Sequence, residues 1–205
     1  MGMYKNKIKK VNYPELFQTD SSPYGQTYVK WTEKWWQWVF SIPKDQSPII
    51  DGTGKNCAIG QKGPVWYLGG TTGSTSHAMR SCVVPHRKSI LFPIIVSQFS
   101  RSEKPDLNYR QLISYTANDI NQFSLLQVTI DDIFLTDLSK YRIQSYFNLD
   151  LVDNNIWSIK PGPTMAASDG FWIFLKPLPM GEHIIKFQGI EPNFRTDVTY
   201  NITIN

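Results

Sequence analysis

The chain of 205 residues lacks several features that would point directly to a function. No run of apolar residues approaches the ~18 that a membrane-spanning helix needs, so no membrane span is predicted. No apolar segment follows the basic residues at the start, so no signal peptide is visible. The glycine-rich motifs of P-loop NTPases, dinucleotide-binding folds and α/β-hydrolases are also missing, and no cofactor is predicted.

Charge is also scarce, because only 19% of the residues are charged while 41% are hydrophobic and 14% aromatic. This composition supports a folded core and excludes general disorder. The net charge of +4 is mildly basic, and a basic N-terminal arm is predicted over residues 1–21, ahead of a single β-sandwich domain over 22–205. We interpret the arm as a solvated tail and predict no nucleic-acid partner; its clustered lysines are Lys5, Lys7, Lys9 and Lys10.

Short β-branched and aromatic runs, separated by glycine and proline, predict many strands. Two segments instead show helical periodicity, at about 27–42 and about 106–123, with Pro43 ending the first and Asp106 expected to cap the second. Two helices among many short strands favour a mainly-β fold. The prediction is an antiparallel β-sandwich of jelly-roll or Ig-like type, with the two amphipathic helices packed on it.

Aromatic residues are the most abundant unusual feature, and WTEKWWQWVFSIP (31–43) holds four of the seven tryptophans. At about 100° per residue, Trp31, Trp35 and Trp38 fall on one face, so we expect them to face the core. Trp36 lies at the edge of that face and is the helix tryptophan expected to meet a partner or ligand. The other candidates for such contacts are Trp66, Tyr67, Arg80, His86, Arg87, Lys88 and Trp157.

The two cysteines, Cys57 and Cys82, allow three interpretations. A disulfide would stabilise the fold by ~3–4 kcal/mol through loop closure. Free thiols are the second possibility. The third is a metal site that adds His77 and His86 to the cysteines, although the spacing matches no common zinc pattern and no metal is predicted. A catalytic thiol with either histidine as its base is a further variant without local support.

Carboxylates are the other candidates for chemistry. A glycosidase pair needs two carboxylates facing one cleft, about 5–10 Å apart. Asp131 and Asp132 adjoin and predict a hairpin turn, and His183, at the start of a strand, is expected to be structural or solvent-facing. The sequence does not choose among the carboxylate candidates, which are Glu33, Asp51, Asp131, Asp169 and Glu182.

Six stretches occur in order along the chain: SSPYGQTYVKWTEKWWQWVFSIP, NCAIGQKGPVWYLGGT, RSCVVP, LFPII, SDGFWIFLKPLPMGEHIIKF and DVTYNIT. Together they resemble a family of uncharacterised, mostly secreted proteins of bacteria and archaea, over roughly residues 22–204. The resemblance implies a shared architecture, an extracytoplasmic location and, through the NCA and RSC motifs, a disulfide between Cys57 and Cys82. It implies no activity, because that family has no established function.

Three classes of function fit these observations. The leading expectation is a non-catalytic structural or interaction protein of an extracytoplasmic surface, or of a virion or envelope assembly, with protein partners or self-assembly. The alternative is a carbohydrate-binding module that uses exposed aromatic rings. The second alternative is a hydrolase with a carboxylate or Cys/His site, which requires titratable groups to converge in a cleft.

Overall fold

The computed structural model describes residues 13–73 and 76–205. Most of the predicted basic arm, including its clustered lysines, lies outside the described residues. The helices are α1 (Tyr28–Phe40) and α2 (Tyr109–Ile120). The strands are β1 (Val65–Tyr67), β2 (Ala78–Val84), β3 (Ser89–Ser100), β4 (Leu125–Ile130), β5 (Ile133–Phe134), β6 (Arg142–Leu151), β7 (Gly162–Leu175), β8 (Gly181–Glu191) and β9 (Phe194–Ile204).

The strands form two packed sheets, which confirms a mainly-β fold with two helices. Sheet I has the order β1-β3-β7-β6, and sheet II has the order β2-β9-β8-β4-β5. The expectation of purely antiparallel sheets is wrong, because β1 pairs with β3 and β2 pairs with β9 in parallel. The chain leaves sheet I after β1, forms β2 in sheet II and returns for β3, so β1 and β3 run in the same direction. The jelly-roll or Ig-like type stays a prediction.

Strand β3 is where the two sheets meet. The rings of Phe92 in β3 and Phe187 in β8 stack with centroids 4.7 Å apart. Gly189 of β8 passes so close to β3 that a Cβ there would lie 2.6 Å from the Cβ of Ile95. On its sheet I side, β3 pairs with β1 only as far as Leu91, so within the described chain the rest of that edge has no strand partner. This open edge positions the candidate site.

Helix α1 is fixed to the fold by its tryptophans and agrees with the predicted segment 27–42 to within two residues. It begins at the side-chain cap of Thr27, whose hydroxyl accepts the backbone N–H of Lys30 at 3.2 Å. Each of its four indole N–H groups donates to a different segment: Trp31 to Pro23 O, Trp35 to Leu68 O, Trp36 to Ser168 Oγ and Trp38 to Ile59 O. Burial of the rings therefore leaves no indole donor of α1 unsatisfied.

Helix α2 is shorter than the predicted segment 106–123, and Asp106 is not its cap. The side chain of Asn108 accepts the backbone N–H groups of Arg110 and Gln111, at 3.0 and 3.1 Å. The Gln111 side chain accepts the Asn108 N–H in return, at 2.9 Å. This reciprocal capping box starts the helix two residues after Asp106.

The segment from residue 13 to 21, predicted as part of the arm, packs against the β-domain. Leu16 forms an antiparallel bridge with Leu175 at the end of β7. The backbone N–H of Phe17 donates to Phe174 O at 2.9 Å, and their rings lie 4.8 Å apart. The domain in the structure therefore starts before residue 22.

The expected disulfide between Cys57 and Cys82 is confirmed, with the two Cα atoms 6.1 Å apart. Because both sulfur atoms are joined, neither cysteine is available as a metal ligand or as a nucleophile, and the Cys/His form of the hydrolase hypothesis is excluded. Among the described residues, no helix has the length and apolar character that crossing a bilayer requires.

Candidate functional site

A cavity of about 210 Å³ lies along the open edge of β3. We call it the edge cavity. Side chains reach it from α1, from β3 and the loop after it, from α2, from the β6–β7 loop and from the β8–β9 hairpin. It therefore collects residues that are far apart in the sequence, as small-molecule sites commonly do.

The apolar wall of the edge cavity begins with Trp35 and Trp36 of α1. Their indole N–H groups are already engaged by Leu68 O at 2.9 Å and Ser168 Oγ at 2.8 Å. What these two rings offer a ligand is consequently carbon surface and the π face. Trp36, predicted as the α1 tryptophan that meets a partner or ligand, is only 3% exposed. It is turned inward, and it contacts the cavity rather than the outer surface.

Trp157 in the β6–β7 loop extends this wall towards solvent. Its ring lies 6.1 Å from that of Trp36 and 5.3 Å from that of Phe40, and the residue is 42% exposed. The buried side chain of Asn155 ties the loop together by donating to Val152 O and Ile159 O and accepting the N–H of Ile159. Trp157 is thus held at the mouth of the cavity by an ordered loop.

Three carboxylates line the same cavity: Glu103, Asp119 and Glu191. The Asp119 carboxylate, in the last turn of α2, accepts the hydroxyl of Ser97 at 2.7 Å. Glu103 accepts the N–H and the hydroxyl of Ser100, at 2.8 and 2.7 Å. Glu191 ends β8, and no hydrogen bond joins its carboxylate to another described residue. It is the carboxylate left free for a ligand.

The acidity of Glu191 is strongly perturbed. Burial of the carboxylate, followed by the negative charge of Asp119, raises the pKa of Glu191 from 4.5 to about 7. Around neutral pH this group is therefore divided between its protonated and charged forms. Perturbed carboxyl groups in a concave site are typical of functional positions.

The cavity is acidic and rich in hydrogen-bond acceptors. Among the described lining residues there are three carboxylates and no lysine, arginine or histidine, although the whole chain carries a net charge of +4. Gln98 also lines the cavity, and its Nε2 atom is buried without a hydrogen-bond partner. Buried polar atoms are nearly always paired, so this amide nitrogen is a donor available to an acceptor that enters the cavity.

Arg80 supports the cavity from behind and does not enter it. The side chain is 1% exposed. Its guanidinium donates to backbone carbonyls of the segment 49–70 and to the hydroxyl of Tyr200, at 2.7–2.9 Å, namely Asp51 O, Gly69 O, Gly70 O, Ile49 O and Tyr200 Oη. Because Ile49 and Gly70 line the edge cavity, Arg80 fixes part of its wall.

The remaining predicted contact residues lie elsewhere. Trp66 and Tyr67 are buried in β1, because that strand packs against α1 and the segment 49–61. Their rings are therefore not a surface platform. His86, Arg87 and Lys88 form the exposed turn between β2 and β3, where the Lys88 ammonium donates to Gly63 O. None of these five residues lines the edge cavity.

The five carboxylates proposed from sequence do not line it either. Each has another partner: Glu33 pairs with Lys30, Asp51 accepts from Thr53, Asp131 pairs with His183, Asp169 pairs with Arg142, and Glu182 accepts from Thr203. His183 bonds Asp131 and Pro179 O, which fits the structural role expected of it. Asp131 and Asp132 form the predicted turn.

Sequence reasoning missed the three carboxylates that do converge, Glu103, Asp119 and Glu191. They lie in a loop, a helix and a hairpin, and no local motif connects them. The nearest signal is the Pro192–Asn193 turn beside Glu191, which marks a hairpin end without indicating a site. Comparisons with protein-family models, with curated proteins and with solved structures find no match for the chain.

Proposed function

We propose that this protein is an extracytoplasmic ligand-binding domain that holds a small organic molecule in the edge cavity. The observation that carries the proposal is the convergence of indole rings, three carboxylates and an orphaned amide in one preformed cavity. The Cys57–Cys82 disulfide supports the location, because disulfides persist in oxidising compartments.

The size of the cavity supports a small ligand. Its volume of about 210 Å³ lies below the roughly 300–1,000 Å³ of sites for drug-sized molecules. The rings supply apolar contact, and the carboxylates supply polar groups that would orient a ligand. A ligand of a few heavy atoms with one polar end fits this combination.

A flat, carbohydrate-binding platform receives no support from the positions of the rings. Six of the seven tryptophans are at most 6% exposed, and the seventh, Trp157, stands at the cavity mouth. The expected role in a surface or virion assembly stays a prediction, and a native mass measurement would test it. The edge cavity is the feature that supports a more specific function.

Hydrolysis is a second candidate function, favoured by the carboxylate pair Asp119 and Glu191. Glu191, with its pKa raised to about 7, would donate a proton to a leaving group, and Asp119 would accept one from water. Release of a chromogenic leaving group from small glycosides or esters, abolished in Glu191→Gln, is the expected result. Binding without turnover would exclude this candidate.

The ligand-binding proposal is tested by a thermal-shift and fluorescence screen of small amines, alcohols, sugars and carboxylic acids. A ligand should raise the Tm and quench tryptophan fluorescence, because Trp36 and Trp157 line the site. Thr71→Phe should block binding, since Thr71 lines the cavity, while Thr72→Phe, its exposed neighbour, should not. A screen without any Thr71→Phe-sensitive binder would overturn the proposal.

A further inference from the structure

We infer that the ligand of the edge cavity is an organic ammonium cation, an inference that rests on the proposed ligand-binding function. Three observations on the described residues carry it: the balance of charge, the balance of hydrogen-bonding groups, and the chemistry of the wall. Each points to the same kind of ligand by a separate physical route.

The charge balance comes first. Glu103, Asp119 and Glu191, each partly buried, are gathered in one cavity, where like charges disfavour one another's charged forms unless a positive charge is near. Basic side chains on the packed elements are engaged by other groups. Arg195 pairs with Asp197, Arg142 pairs with Asp169, and the Lys104 ammonium lies over the rings of Phe99 and Tyr115. A cationic ligand would supply the missing countercharge.

The hydrogen-bonding groups give the same answer. Carboxylates accept hydrogen bonds and, once charged, cannot donate them. Several donors of the wall are already used: Ser97 donates to Asp119, Thr71 donates to Arg195 O, and the indoles of Trp35 and Trp36 are engaged. An acceptor-rich cavity selects a ligand that donates or that is positive. The orphaned amide of Gln98 would meet an oxygen of that ligand.

The wall argues for an organic cation rather than a metal ion. The rings of Trp35, Trp36, Phe99, Trp157 and Phe194 present apolar π surface. Such faces attract alkylammonium groups within about 6 Å of the ring centroid, whereas a hydrated metal ion needs oxygen ligands. Across residues 13–73 and 76–205, no group of three acidic, histidine or cysteine residues is close enough to hold a metal.

The test compares cations with neutral molecules of the same shape, by titration calorimetry at pH 8. Choline is compared with 3,3-dimethyl-1-butanol, and ethanolamine with 1-propanol, so that within each pair only the charged nitrogen is replaced by carbon. We expect at least one cation to bind at least tenfold more tightly than its neutral isostere. Each binder must also lose its affinity in Thr71→Phe.

Two neutralising variants locate the charge that is recognised. Asp119→Asn and Glu191→Gln should each weaken binding of the cation at least tenfold. Asp153→Asn and Glu182→Gln, which neutralise exposed carboxylates outside the cavity, should leave the affinity unchanged. Melting curves of all four variants confirm that the fold is retained.

The pH dependence supplies an independent readout. Burial and the charge of Asp119 hold the pKa of Glu191 at about 7, so affinity for the cation should rise between pH 6 and pH 8 as Glu191 loses its proton. In Glu191→Gln this rise should disappear. A flat profile in the unaltered protein would contradict a role for Glu191 in binding the cation.

The outcomes separate the two proposals. If a sugar, an alcohol or a neutral isostere binds in the cavity as tightly as the cations, the cation inference is overturned and the ligand-binding function stands. If no compound binds in a manner sensitive to Thr71→Phe, the ligand-binding function itself is overturned. Tenfold selectivity for a cation, lost in both neutralising variants, supports both.

Discussion

The buried Arg80 and the edge cavity carry opposite charges within one small protein. Arg80 is a positive charge held by backbone carbonyls and a tyrosine hydroxyl, with no carboxylate bonded to it. The cavity holds three carboxylates and, among its described lining residues, no basic side chain. Arg80 is fully buried, whereas the three carboxylates are only partly buried.

This difference separates a structural charge from a functional one. The fold gives each of the three guanidinium nitrogens of Arg80 at least one acceptor, which is how proteins tolerate an interior charge. It leaves the carboxylate of Glu191 without a hydrogen bond to a described residue, and the buried Nε2 atom of Gln98 has no protein partner. Arg80 also bonds the carbonyls of Ile49 and Gly70, which line the edge cavity. The buried arginine therefore supports the wall of the candidate site.

The largest expected effect on stability comes from removing the guanidinium group of Arg80. Arg80→Met should lower the free energy of unfolding by about 3–4 kcal/mol, because it leaves several buried carbonyls without donors. It should also abolish ligand binding through disorder of the wall segment. Chemical denaturation measures the first effect and calorimetry the second.

Arg101→Met is the matched control for Arg80→Met, because Arg101 is exposed and bonds Met165 O only through its backbone N–H. Its effect on stability should stay within about 0.5 kcal/mol. Equal losses of stability in the two variants would show that the hydrogen bonds of Arg80 do not stabilise the interior.

An intermediate effect is expected from the disulfide. Replacing Cys57 and Cys82 together by serine should cost about 3 kcal/mol, because the bond closes a loop with a sequence separation of 25. Below the transition, however, ligand affinity should be retained, since the bond does not line the cavity. Denaturant unfolding and calorimetry provide the two measurements. Loss of affinity in a folded double variant would mean that Arg80 alone does not fix the wall.

The smallest effect concerns Glu191 and depends on pH. The folded-state pKa of about 7 lies above the ordinary value of 4.5, so the folded protein prefers the protonated carboxyl. Its deprotonation destabilises the fold progressively from about pH 4.5 to 7 and fully above pH 7. Glu191→Gln should therefore raise the Tm at pH 8 and leave it unchanged at pH 4.5.

Because solvent screens this partly exposed group, the rise at pH 8 should be modest, about 2–4 °C, which corresponds to about 1 kcal/mol in a domain of this length. Differential scanning calorimetry at both pH values measures it. Glu182→Gln serves as the control on an exposed carboxylate and should show no pH-dependent difference. A Tm gain of equal size at both pH values would contradict a raised pKa.

Local patterns predicted the parts of the fold that local chemistry determines. The spacing of the tryptophans predicted α1, because burial of one helix face needs that spacing. The adjacent residues Asp131 and Asp132 predicted a turn. The parallel pairing of β1 with β3 and of β2 with β9 was missed, because strand order depends on how distant segments pack. The start of α2 was missed because Asp106 was predicted as the cap, whereas the side chain of Asn108, two residues later, caps the helix.

The candidate site was less predictable than the fold. Trp36 and Trp157 were identified as candidates for contact, but from their aromatic character rather than from their shared wall. Glu191, Asp119 and Glu103 carry no motif, and only the packing of a loop, a helix and a hairpin brings them together. Arg80 was predicted to contact a ligand or partner, and no local pattern distinguishes an arginine that bonds buried carbonyls from one that is exposed.

The parallel pairing of β2 with β9 also sets the order in which the molecule can be built. It joins Ala78 to Val198, which lie roughly 120 residues apart. Such distant pairing slows folding, because the entropy of closing the loop is lost before any stabilising contact forms. Tyr200, which bonds Arg80, arrives with β9. A chain emerging from the ribosome therefore has no finished sheet II and no completed wall until β9 has been made.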